Sequence, residues 1–179
     1  MGETPNRRDF VKRTSAAVGG LLTGSLVCGG PLTGRDGDMS DRRLVLLGLN
    51  ALARARELDY FADGHRGASM VAAHLLCVDH GLDQQATSRI VGLLDLNWAR
   101  STLCKPFPDT QPVPARIGEI GIALAQGGDV LRQVGHNAIF AMLAIKAFRL
   151  LPSAATAERI EGVCALIRSF TPWRDVEPD

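Results

Sequence analysis

Aromatic side chains are scarce in this chain of 179 residues, at 5% of the total with a single tyrosine. Alternating apolar–polar runs of strand length are scarce as well. Together these absences argue against a β-rich fold, whose strands draw on aromatic and β-branched residues set at period two. An excess of one charge is also missing. Lys and Arg number 20 against 19 Asp and Glu, for a net charge of +1. Residues 1–34 hold four of the bases and two of the acids, which leaves 16 bases and 17 acids in the remainder. A near-neutral body lacks the electrostatic footprint of a nucleic-acid binder. The sequence contains no H-E-x-x-H, no E-x-x-H and no C-x-x-C, so the well-specified zinc and haem signatures are absent. The glycine pairs Gly19-Gly20 and Gly127-Gly128 lack the spacing of a phosphate-binding loop.

What is present is alanine and leucine, in a chain that is 46% hydrophobic, and that mixture favours helix packing on helix. Ser40 is placed to cap a helix running to about Phe61, with Val45, Leu49 and Leu52 on one face. Ala62-Asp63-Gly64 reads as its break. A second helix is expected over Arg66–Val78 with Gly81 as its stop, and a third over Gln84–Ala99 behind Asp83. Prolines 106, 108, 112 and 114 forbid regular helix and mark an extended loop. A fourth helix fits Ala115–Ala125. Asp129 is then placed to cap a stretch reaching Leu151, and a last helix fits Thr156–Phe170. The body, residues 40–170, is therefore expected to be all-α, built of antiparallel helical hairpins, behind a linker at 35–39. An irregular tail at 171–179 contains Trp173.

The N-terminal segment reads NRRDFVK and continues RTSAAVGGLLTGSLVCGG. Arg7-Arg8, one intervening residue, Phe10, an apolar residue and then Lys12 resemble a twin-arginine (Tat) export signal, R-R-x-F-apolar-K. Asn6 departs from the usual Ser or Thr before the pair. The apolar region from Ala16 to Cys28 is shorter and less apolar than the roughly 20 residues of a membrane-spanning helix. No A-x-A cleavage site follows, and Val27 before Cys28 makes a poor lipoprotein box. The resemblance implies that residues 1–34 are a signal, that the Tat machinery is a partner, and that the mature protein is soluble, without a membrane anchor, and periplasmic or extracellular. Tat substrates are exported already folded and many carry a cofactor, so the resemblance also raises a bound metal ion or organic cofactor as an expectation.

Two of the four histidines stand in matching settings, GHRGASMVA at 64–72 and GHNAIFAML at 135–143. A shift of 71 residues aligns His65 with His136, and a shift of 70 aligns R-I-V-G-L at 89–93 with R-I-E-G-V at 159–163. This pattern reads as a helical hairpin used twice, in an α/α-toroid-like fragment or a small bundle that self-association would complete. In parallel hairpins His65 and His136 face the same end and could share one cavity. At helix N-termini the macrodipole would favour neutral rings, fit to ligate a metal or to polarise a substrate oxygen. Asp63 is placed to orient His65, and Asn137 beside His136 suggests a polar pocket. The expected catalytic set is thus His65, His136, Asp63 and Asn137, with His65 and His136 as metal ligands. Against this stands a non-enzymatic binding or oligomerisation module in which both histidines only pack. Rings more than about 10 Å apart would remove the shared site. His74, nine residues after His65, falls on nearly the opposite helix face and reads as a core histidine, and His80 as a helix C-terminal residue. Among the cysteines beyond the signal, Cys77 and Cys164 are expected to be buried and Cys104, in the proline-rich loop, exposed, with one disulfide open to them. Glu119 is expected to face solvent.

Overall fold

The computed structural model describes residues 37–128 and 132–172. Residues 1–34, which resemble an export signal, and Asp129 and Trp173 lie outside these residues. Among the described residues the fold is all-α: α1 (Gly37–Arg54), α2 (Tyr60–Asp79), α3 (Gln84–Asn97), α4 (Gly118–Ala125), α5 (His136–Leu150) and α6 (Ala157–Ser169) pack against one another, and no strand occurs. Short 3₁₀ turns at Ala55–Glu57, Thr102–Cys104, Pro114–Ile117, Gln133–Gly135 and Pro152–Ala154 join them.

α1 is the central element, packed by α2, α5 and α6, while α4 lies against α5 and α6. Its Val45, Leu49 and Leu52 are fully buried, as their spacing predicts, and meet Phe140 and Phe148 of α5 and Ile160 and Val163 of α6. A smaller cluster under α3 joins Leu44 and Met70 to Leu94, Leu103 and Cys104.

Several boundaries differ from the sequence expectation. α1 opens at Gly37, before Ser40, and ends at Arg54 rather than near Phe61. α2 then starts at Tyr60, so Ala62-Asp63-Gly64 lies inside a helix. The cause is Asp59, whose carboxylate accepts the Phe61 and Ala62 N–H groups at 3.2 and 3.1 Å and caps the first turn. The fourth helical segment begins as a 3₁₀ turn at Pro114 and becomes α-helix only at Gly118. Asp83 caps α3 through the Ala86 N–H at 2.7 Å, and Gly81 takes φ +55°, the left-handed stop expected of it.

The proline-rich loop lies at the surface, as its composition predicts, with Pro106, Pro108, Pro112 and Pro114 exposed, but its first residues are tied down. Arg54 donates to the carbonyls of Leu103, Lys105 and Pro106 at 3.0, 2.6 and 3.1 Å, and its guanidinium lies 3.8 Å from the Phe107 ring centre. Asn50 donates to the Cys104 carbonyl at 3.2 Å and accepts from Arg159 Nε at 2.8 Å. This bracket buries Cys104 to 3% exposure, which corrects the expectation that its thiol is exposed. Cys77 and Cys164 are buried as expected, and Cys77, Cys104 and Cys164 are all free thiols.

The order helix, turn, helix does recur in α2–α3 and α5–α6. The matched positions do different work, however. Arg89 is exposed on α3, whereas Arg159 is buried against Asn50. Gly92 faces open space, whereas Gly162 lies against the backbone of Ala53. The likeness is one of element order, not of packing environment.

Candidate functional site: a pair of imidazoles

α2 and α5 lie side by side, and their packing brings His65 and His136 together with ring centres 4.8 Å apart and planes inclined at 57°. Gly64 makes this approach possible. A Cβ on Gly64 would stand 2.4 Å from the edge of the Phe140 ring, so that ring is seated where any larger residue would have a side chain. Its conformational freedom is not needed, since it sits in mid-helix; its lack of a side chain is.

The rings do not both stand at helix N-termini. His65 is the sixth residue of α2, because Asp59 starts that helix a turn and a half earlier than expected. His136 is the first residue of α5. It is placed by an unusual turn in which Gln133, Val134 and Gly135 all take positive φ, at 42°, 58° and 88°. Glycine adopts that region freely, whereas a β-branched valine there is strained. Val134 is also 64% exposed, so no burial of its side chain accounts for the turn. What holds it is polar. Arg132 donates to the Gly127 and Phe170 carbonyls, the latter at 2.7 Å, and Gln133 Nε2 donates to the Tyr60 hydroxyl at 2.6 Å.

Each imidazole is hydrogen-bonded in the same way. His65 Nδ1 lies 2.6 Å from the Phe61 carbonyl, and His136 Nδ1 bonds the Gln133 carbonyl. A carbonyl only accepts, so in both contacts Nδ1 carries the proton and donates it. That fixes the Nδ1–H tautomer in each neutral ring and leaves Nε2 as a lone pair. Among the described residues no partner for either Nε2 occurs. Both rings are half-buried, walled by Phe61, whose centre lies 4.5 Å from His65 and 5.0 Å from His136, and by Phe140 at 5.1 and 6.0 Å. Phe170, from the end of α6, packs edge-on against Phe140 at 5.5 Å and Tyr60 at 5.4 Å and closes the aromatic cluster from behind.

Asp63 and Asn137 are placed differently from the histidines. The Asp63 carboxylate accepts the Asp59 N–H at 3.2 Å and pairs with Arg66, so it completes the α2 cap and is not hydrogen-bonded to His65. Asn137 is buried at 6% exposure, and its Oδ1 has no hydrogen-bond partner. Gln133 Oε1 is likewise buried and unpartnered. His74 is buried as its position predicted, with Nδ1 unpartnered, and His80 forms the C-terminal end of α2. Glu119 is half-buried and pairs with Arg116 at 2.7 Å, which lowers its pKa. Among the described residues no group of three or more His, Cys, Asp or Glu side chains is placed to hold a metal ion.

Sequence reading missed the aromatic walls, although a signal for them exists. Phe61 stands four residues before His65 and Phe140 four residues after His136, one helical turn in each case. Gln133 and Tyr60, separated by 73 positions, carry no such local signal. No helix among the described residues is long and apolar enough to cross a membrane. Comparison with protein-family models, with curated proteins and with solved structures finds no match to this chain.

Proposed function

We propose that this chain is a protein exported by the Tat machinery whose working surface is the His65–His136 pair, the two imidazoles serving as proton acceptor and proton donor toward a small polar substrate. The observation that carries this reading is the shared hydrogen-bonding pattern, in which each ring commits Nδ1–H to a backbone carbonyl and keeps Nε2 open. A general base needs a positioned, unoccupied lone pair, and the Nδ1–H bond of each ring both fixes its orientation and leaves that lone pair on Nε2. Two rings in contact can divide the roles, one neutral and one protonated, as proton-transfer catalysis requires. The strained turn ahead of His136 adds support, since such backbone is retained where geometry serves a site.

The test is hydrolysis of a chromogenic acyl ester, a reaction that imidazole itself promotes. The full chain should exceed the rate of free imidazole at four times its concentration, four being the number of its histidines. His65→Gln and His136→Gln should each remove most of that excess, because paired groups act as a unit. His80→Gln should not. No excess, or an excess that survives the double variant, would refute the reading. Export is tested separately: Arg7→Lys with Arg8→Lys should hold the protein in the cytoplasm, in a periplasmic or extracellular destination's stead, and unchanged export would remove that part.

A second reading, a non-enzymatic oligomerisation module, draws on a different observation. Phe61, Val134, Ile139 and Met142 are exposed apolar side chains on the same segments as the two histidines. A concentration-dependent dimer abolished by Ile139→Asp, together with no ester hydrolysis above free imidazole, would favour it.

A further inference from the structure

We propose that His65 and His136 chelate one transition-metal ion of the zinc or copper class through their two Nε2 atoms, an inference that rests on reading the pair as the working site. Three features of the pair converge on it. The first is the tautomer. Metal-bound histidines characteristically donate the other ring N–H to a carboxylate or backbone carbonyl, which fixes the ring and raises its basicity. Both rings already do so, His65 to Phe61 and His136 to Gln133.

The second is distance. With a metal–nitrogen bond of about 2.0–2.1 Å and a ring centre about 1.1 Å behind the nitrogen, an ion lies about 3.2 Å from each ring centre. With both Nε2 atoms turned to one common point, ring centres 4.8 Å apart would give a nitrogen–metal–nitrogen angle of about 97°, between the about 90° of square-planar and about 109° of tetrahedral sites. The third is ligand chemistry. Two neutral imidazoles suit zinc, copper or nickel, whereas magnesium and calcium take oxygen ligands. The nearest carboxylate in sequence, Asp63, is held by the Asp59 N–H and by Arg66, so it is not free to recruit a hard cation.

Two protein ligands leave the other coordination positions to water or substrate. A catalytic zinc site has three protein ligands, so this pair would supply a partial one, and an ion held by both Nε2 atoms would take them out of the proton-transfer role proposed above. The half-buried position of both rings gives an ion access from solvent.

Metal-stripped full-length protein is titrated with zinc, and in a second experiment with copper(II), while the four imidazole signals are followed by NMR. Zinc at one equivalent should shift the His65 and His136 signals together, leave His74 and His80 in place, and saturate at one ion per chain. Copper should broaden the same pair. His65→Gln or His136→Gln, each checked for unchanged helicity, should weaken binding at least tenfold. Unmoved His65 and His136 signals at ten equivalents of zinc would overturn the proposal, as would a double variant that binds like the parent. Bound zinc should suppress the ester hydrolysis by occupying both Nε2 atoms, and excess chelator should restore it; hydrolysis unchanged at saturating zinc would overturn the metal site, whereas no hydrolysis with or without zinc would overturn the acid–base reading alone.

Discussion

Replacing Gly162 by alanine should force α6 away from α1. A Cβ at that position would stand 2.1 Å from the Ala53 carbonyl oxygen, 2.9 Å from its carbonyl carbon and 3.0 Å from its Cα. All three are backbone atoms, so no rotamer change relieves the clash, and the two helices must separate by about 1 Å to restore normal contact. The seam they would open is lined by Leu49, Leu52, Ile160 and Val163, all fully buried. Overpacking costs about 1–3 kcal/mol, and rigid backbone places this case at the upper end. Helix propensity returns about 1 kcal/mol, because alanine replaces glycine in a helix, for a net loss of about 2 kcal/mol. Gly92, its partner in the sequence repeat, has nothing within 4 Å of the added Cβ and is exposed, so Gly92→Ala should gain up to about 1 kcal/mol. Urea unfolding of the full chain, followed by circular dichroism, measures both. With an m-value of about 2 kcal/mol/M, the midpoint should fall by about 1 M for Gly162→Ala and rise by up to about 0.5 M for Gly92→Ala. A Gly162→Ala midpoint at or above the parent's would refute the packing described for α1 and α6, and a large fall for Gly92→Ala would show that the two positions are equivalent after all.

Four further outcomes follow from the structure. Asp59→Ala should cost about 1 kcal/mol and speed amide exchange in the first turn of α2, and unchanged exchange there would remove the cap from the account. Burial pushes the Cys104 thiol up, with Arg54 working against it, so the native state should react with iodoacetamide at least tenfold more slowly than the urea-unfolded chain; equal rates would contradict its burial. A raised thiol pKa stabilises the fold fully below the unfolded value of about 8.5, and that contribution should be lost as pH climbs through the folded value; a flat alkaline stability difference between the parent and Cys104→Ala would speak against it. Arg159→Ala removes the donor to Asn50 and the contact with Phe107, and should cost about 2–4 kcal/mol while exposing the 105–113 loop to proteolysis, so an unaltered cleavage rate would show that the bracket is not what holds the loop.

Helical periodicity made the class of fold legible, and Asp83 and Gly81 marked their boundaries correctly because each acts on its immediate neighbours. Local signals misled where a distant partner decided the outcome. Ala62-Asp63-Gly64 has the look of a break, yet Gly64 is small because the Phe140 ring rests on it, 76 positions away. The proline-rich loop has the composition of a free surface segment, yet Arg54 and Asn50 reach it across some 50 residues and bury Cys104. The two histidines were legible as a pair through the repeated Gly-His, although that likeness overstated the symmetry: one ring lies inside α2 and the other opens α5. Nothing in the spacing of charges or histidines signalled the strained Gln133–Gly135 turn, since its support comes from Tyr60 on another helix.

The measurement that bears most directly on the central claim is long-range ¹H–¹⁵N correlation of histidine-labelled protein at alkaline pH, combined with nuclear Overhauser contacts between rings. A free neutral histidine favours the Nε2–H form. His65 and His136 should both report Nδ1–H, with their bare Nε2 atoms on rings close enough, at 4.8 Å between centres, to give direct ring-to-ring contacts. Nε2–H tautomers at either position, or the absence of contact between the two rings, would contradict the account.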